Sequence, residues 1–339
     1  MNSIFLKFFF KPLIITILVF TIIWLYSGTQ ALFLVAILSI LEITLSFDNA
    51  VINAKILEKM SPAWQKRFLT WGILVAVIGT RFLLPIIIVS VALFMSPTAV
   101  AILAFTAPEK YGELLEGVKS TITSFGGIFL LLVSLKYFLN QAKSVHWIEG
   151  IECHLAKCGN IKAIEIIIAL FVLIGLSAIT NFDQSEVLVA GLIGLILFII
   201  MDGIVESISI EPKHLTSSGL VLFIYLNILD SAFSLDGVVG AFAISSNLLI
   251  IMTGLGIGAY FVRSLTLYIV TQKTLTHLIY LEQGAHWAIF GLAVSMLANL
   301  IIHVPTVLTG LIGLACIGLA YRASIKAIKE KNVKHKVWH

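Results

Sequence analysis

The sequence predicts an all-α, polytopic membrane protein: a bundle of about ten transmembrane helices containing two inverted-topology repeats. Three observations predict it. The 339-residue chain is 59% apolar and only 12% charged, with a mean hydropathy of +1.06, whereas a soluble chain carries about 25% charged residues. Its apolar runs approach or reach the roughly 20 residues that a helix needs to cross a bilayer. An acidic motif also occurs twice, once in each half, inside two of those runs.

The first run, 13–27, follows Lys7 and Lys11. No small-residue cleavage site follows in Tyr26-Ser27-Gly28-Thr29-Gln30, so it reads as an uncleaved helix rather than a signal peptide. Runs near 31–54, 68–92, 123–139, 164–180, 186–205, 217–244, 248–270, 285–303 and 304–320 complete the set. The stretch 97–106 is about half a spanning length and reads as re-entrant or interfacial. The expected organisation is an N-terminal helix (1–30), a first repeat (31–140), connecting helices with a cytoplasmic loop (141–216), a second repeat (217–320) and a basic tail (321–339).

Charge gives the orientation. With the N-terminus inside, eighteen of the 22 Lys and Arg residues fall on the cytoplasmic side. Only Lys110 and Lys119 fall outside, and Arg81 and Arg263 lie within spans. By the positive-inside rule, both termini are expected in the cytoplasm of a multi-pass inner (plasma) membrane protein. The net charge of +4 is accounted for by loops and tail, so no nucleic-acid partner is expected. Cys153, Cys158 and Cys316 are too few and too poorly placed for a disulfide framework.

The first acidic motif reads Glu42-Ile-Thr-Leu-Ser46-Phe-Asp48-Asn49, the second Asp230-Ser-Ala-Phe-Ser234-Leu-Asp236-Gly237. Both follow one template: carboxylate, three residues, Ser, an apolar residue, Asp, then Asn or Gly. One helix later in each half comes an arginine, Arg81 and Arg263. Carboxylates within a membrane are costly and mark ion or proton pathways, and inverted repeats place substrate sites at their interface near midplane.

Asp48 and Asp236 lie about 9 Å along their helices from Glu42 and Asp230. Antiparallel helices would then set a central Glu42/Asp230 pair between one Asp on each side. Glu42, Ser46 and Asn49 share a helical face, but Asp48 lies about 120° away. Either the site is wide, or the helices are interrupted near 46–49 and 234–237, where Gly237 permits a break.

The candidate ligands Glu42, Ser46, Asp48, Asn49, Asp230, Ser234 and Asp236 offer hard oxygen atoms, which suit Mg²⁺, Ca²⁺ or Mn²⁺ rather than Cu⁺ or Zn²⁺. Four carboxylates balanced by Arg81 and Arg263 leave a formal charge of −2, which one divalent cation neutralises. A protonated Asp would instead couple protons to the ion. The alternative for each arginine is a pairing that only locks helices together.

These motifs resemble the paired acidic signatures of the TerC family of integral membrane proteins, and Gly284-Ala-His286-Trp287 resembles its longer branch. The resemblance spans roughly residues 31–320. It implies a role in metal-ion homeostasis, since characterised relatives export Mn²⁺ and some are linked to tellurite resistance or to metalating exported enzymes. It carries the acidic motif positions onto Glu42, Asp48, Asn49, Asp230 and Asp236. Gly237 departs from the pattern where Asn49 stands in the first motif. The expected activity is non-enzymatic export of a divalent cation, Mn²⁺ first. The expected partners are that cation, coupled protons and the lipid bilayer, and a homo-oligomer is compatible with them. Two other readings stand beside it: a scaffold or metalation partner without flux, and an intramembrane aspartyl-type enzyme.

Weaker signals read structurally. Asp202 and Glu206 read as a helix end reaching solvent, and Glu282 with His286 as a polar helix start. Cys153, His154 and Cys158 lack a strong zinc spacing. Gly254, Gly256 and Gly258 read as a helix-packing face, and the basic tail as a topology determinant near anionic lipid.

Overall fold

The computed structural model describes the backbone of residues 2–210, 215–242, 244–245 and 247–337. Their side chains are described except at 2–7, 69, 205–210, 215–218, 235, 236, 239, 306, 307 and 331–337. Among these residues every regular element is helical. In a bilayer the helix is one of only two folds that satisfy every backbone group internally.

The helices are α1 (Asn2–Leu45), α2 (Phe47–Leu57), α3 (Pro62–Leu74), α4 (Leu84–Ala92), α5 (Pro97–Thr106), α6 (Pro108–Gly117) and α7 (Lys119–Phe138). They continue with α8 (Glu149–Cys158), α9 (Ile164–Ile179), α10 (Gln184–Ile210) and α11 (Leu215–Phe242). The last are α12 (Leu248–Thr271), α13 (Thr274–His277), α14 (Leu281–Ala298) and α15 (Thr306–Val337). A π-helical segment, Val75–Leu83, joins α3 to α4. Among the described residues six segments are long and apolar enough to cross a membrane: Phe8–Leu45, Pro62–Ala92, Lys119–Phe138, Gln184–Ile204, Leu248–Thr271 and Leu308–Glu330. Large side chains such as Ile17, Phe33, Trp71, Ile193 and Ile196 stay exposed on them. Apolar surface of this extent marks a lipid-facing exterior. The chain is a multi-pass helical membrane protein.

Two expected runs, 13–27 and 31–54, meet in α1. Gly28 adopts φ 80°, ψ −178°, a conformation that only glycine takes without strain. There the helix doubles back along α12. Phe9 lies beside Phe261 and Tyr268, whereas the second arm sets Leu38 against Gly254 and Glu42 against Gly258. A Cβ on Gly254 or Gly258 would lie 2.5 Å from a side-chain carbon of α1, so these two of the three expected glycines bring the backbones together, while Gly256 faces Val77 of the π segment instead.

The first acidic segment is interrupted: α1 ends at Leu45, Ser46 turns with φ −103°, ψ 13°, and α2 begins at Phe47. The second is not. α11 runs through 234–237 without a break, so the interruption considered beside Gly237 is absent. Glycine permits a break but does not impose one, and the flanking turns stay buried. The segment around Arg81 departs differently. Pro85 has no N–H for the Arg81 carbonyl and its ring crowds that oxygen; the helix widens into π geometry one turn earlier.

The connecting loop is fastened to α14. The buried Glu152 carboxylate accepts from Lys143 Nζ at 2.5 Å, Trp287 Nε1 at 2.9 Å and the backbone N–H groups of Trp147 and Ile148. Burial pushes this carboxyl up, but the bonds from Lys143 and Trp287 outweigh it and hold it below the usual range. A depressed folded-state value stabilises above the unfolded value and is lost as pH falls through the folded one. Thermal stability in detergent is therefore expected to fall from neutral pH to below about pH 4, with a shallower acid dependence in Glu152→Gln. Equal acid slopes in parent and variant would remove Glu152 from that transition.

Candidate metal-ion site

Two buried carboxylate–guanidinium pairs form the polar interior. Arg81 Nη2 pairs with Glu42 Oε1, and Arg263 Nη2 donates to Asp230 Oδ2 at 3.1 Å. Each acid is joined to the arginine one helix later in its own half, and all four side chains are buried. The π segment brings the Ala76 carbonyl, five residues back, within 2.6 Å of Arg81 Nη1. Arg263 lies 4.1 Å above the Phe68 ring, and Gly72 leaves room for its Nη1, which a Cβ would approach to 2.6 Å. Thus α3 houses the arginine of α12.

The two motifs meet across the halves. Asn49 Nδ2 donates to Asp230 Oδ1 at 2.6 Å. The corresponding second-half position, Gly237, faces Glu42, where a Cβ would lie 3.5 Å from Oε2. The first half thus supplies an amide where the second leaves space. Ser46 Oγ donates to Glu42 Oε1 at 2.7 Å. Among the described residues each of these acids pairs with its own arginine, and Asn49 links the first motif to Asp230.

Asp48 stands apart. It occupies the first turn of α2, where N–H groups lack helical partners, and its Oδ1 accepts from Asn49 N at 2.9 Å. It is buried, and none of the described ion pairs includes it. The Asp236 side chain lies outside the described residues. Among the described residues no three His, Cys, Asp or Glu side chains gather into one group. The oxygen atoms without a described partner include Asn49 Oδ1 and Ser234 Oγ, both buried.

The weaker signals resolve locally. Asp202 pairs with Lys136, while the Glu206 side chain lies outside the described residues. Glu282 pairs with Lys55 at 2.8 Å, and His286 Nδ1 meets the Glu282 backbone carbonyl while its ring stacks on Tyr137. Cys153 and Cys158 are free thiols, and His154 Nδ1 meets Gly150 O. Sequence reasoning missed Asn53 and Asn227, whose Oδ1 atoms are buried without partners. Their spacing, four residues after Asn49 and three before Asp230, is the signal that could have found them.

Fold and site define a multi-pass helical membrane protein with paired acids and arginines buried in its interior. Over residues 47–331 the chain matches the family model described as "Protein of unknown function (DUF475)", and it belongs to that family. No curated protein and no solved structure matches it.

Proposed function

We propose that this protein is a secondary transporter of a divalent metal cation, with Mn²⁺ export as its activity. The observation that carries the reading is the arrangement of charge in the buried interior. Glu42–Arg81 and Asp230–Arg263 are internally neutral pairs. By sequence the formal −2 therefore rests on Asp48 and Asp236, one per motif, and in those motifs Asn49 Oδ1 and Ser234 Oγ have no described protein partner. A divalent ion supplies the missing charge, and carboxylate, amide and hydroxyl oxygens are the donors a hard cation takes. The likeness of both motifs to TerC signatures supports the same reading and the choice of Mn²⁺.

The ten-pass layout with two inverted repeats belongs to this proposal. It is supported by matched acid–arginine pairs and by the course of α2 against α11. Glu42 faces Gly237, Asn49 bonds Asp230, and Leu57 shares a cluster with Leu222 and Leu226, so the two motif segments run in opposite directions. Purified protein in proteoliposomes should move Mn²⁺ down an imposed gradient. Mn²⁺ binding without flux would instead favour a metalation scaffold, and cleavage of a membrane substrate an enzyme.

Orientation gives a separate expectation. Cysteines introduced at Ser27 and Asn247 should react with an impermeant thiol reagent from outside the cell, and those at Ser61 and Thr276 should not. Labelling of the Ser61 position from outside would overturn the layout.

A further inference from the structure

The buried amides of Asn53 and Asn227 have no role in the acid–arginine pairs. Asn227 is 8% exposed and Asn53 2%, and both Oδ1 atoms lack a partner. The Asn227 amide orientation is not arbitrary: Nδ2 donates to the Phe223 carbonyl at 2.6 Å, which can only accept, so Oδ1 is the unpaired end. An unpaired buried carbonyl oxygen is costly, and two of them near an ion site call for a ligand.

Their placement follows from the Asn49–Asp230 bond. Asn53 lies four residues further along α2, about 6 Å, and Asn227 three residues back along α11, about 4.5 Å. Because these segments run antiparallel, both displacements go the same way, toward the C-terminal end of α2. Beyond them Leu57, Met60, Phe68, Leu222 and Leu226 form an apolar cluster that closes this end. The opposite end is built differently. Superimposing Glu42 on Asp230 puts Ala241 at the position of Asn53 and Ser39 at that of Asn227. Ala241 offers no ligand, and Ser39 Oγ is already bonded to Val35 O at 2.8 Å and Gly254 O at 3.0 Å.

We propose that Asn53 and Asn227 form a second, neutral subsite of amide oxygens for a divalent cation, one helical turn from Asn49–Asp230 and on one membrane side of it only. It rests on the transport reading and adds direction to it. A partly hydrated cation exchanges some water for amide oxygens before reaching the carboxylates, and the Leu57–Leu226 cluster shuts behind it. On the proposed orientation this side is cytoplasmic, where an exporter loads.

The test measures Mn²⁺ flux in proteoliposomes with the ion presented to each face in turn. Asn53→Leu and Asn227→Leu keep side-chain bulk and remove the oxygen. Each should raise the half-saturating Mn²⁺ concentration about fivefold from the α2 C-terminal face. The maximal rate and the response from the other face should change little. Ser39→Ala should leave both faces unchanged. Unchanged or equally changed half-saturation on the two faces in the leucine variants would overturn the subsite, leaving amides satisfied by water. If the parent carries no flux, the transport reading fails by itself. Mn²⁺ electron paramagnetic resonance then decides the subsite: more bound ion in the parent than in the Asn53→Leu/Asn227→Leu double variant supports it, and equal occupancy overturns it. Should leucine prevent membrane insertion, Asn53→Ala and Asn227→Ala carry the same outcomes.

Discussion

Asp48→Asn is expected to cut Mn²⁺ flux about a hundredfold or more while leaving helix content and membrane insertion intact. Two unit charges about 4 Å apart interact by about 4 kcal/mol at an effective dielectric constant of 20, and a divalent ion doubles that. A hundredfold loss needs less than 3 kcal/mol, so removal of one carboxylate charge is ample. The fold should not follow the activity down. Asparagine keeps the side-chain oxygen that accepts from Asn49 N at the start of α2, and none of the described ion pairs is broken. Asp236→Asn should behave alike, because it removes the other charge not balanced in sequence by an arginine. Circular dichroism and membrane fractionation report the fold, and proteoliposome flux reports the site. Full flux in both well-expressed variants would remove the carboxylates from the transport mechanism.

The second large effect is on stability. Arg263→Gln leaves Asp230 buried with Asn49 as its remaining described partner. Removing one member of a buried pair costs about 3–5 kcal/mol because an uncompensated charge stays behind. The thermal unfolding midpoint in detergent should therefore drop sharply, and the Phe68 ring should lose its cation. Asp230→Asn combined with Arg263→Gln removes both charges and should recover most of the loss. The coupling between the two substitutions is the quantity to measure. Additive effects, with the double variant as weak as the sum of the singles, would show that the pair carries no energy of its own. The same cycle on Glu42 and Arg81 tests the first half, where Ser46 also holds the carboxylate.

Membrane residence was legible in the residues, and so was the presence of acids and arginines inside apolar runs. A chain with so few charges cannot hold a water-soluble surface, and acids placed inside apolar runs must find partners. An arginine one helix after each acidic motif marked Arg81 and Arg263 as charges for those acids; the structure made the pairs Glu42–Arg81 and Asp230–Arg263. The Gly254/Gly258 spacing likewise marked the face that α12 turns to α1, because small residues four apart let two backbones approach.

Packing decided the rest. Asn49 meets Asp230 and Trp287 meets Glu152 across separations of 181 and 135 residues, and no local spacing selects such partners. The break at Ser46 occurs and the one at Gly237 does not, although both sequences allowed it; the tertiary environment chooses between conformations that local chemistry leaves nearly equal. Asp48 follows that break and takes no part in the Glu42–Arg81 and Asp230–Arg263 pairs. The unpaired oxygens of Asn53 and Asn227 exist only because packing buries each of these side chains. Sequence by itself determined which groups must be paid for in the membrane; the tertiary structure decided which of them are paired and which have no described partner, since only close packing sets the distance between side chains far apart in the chain.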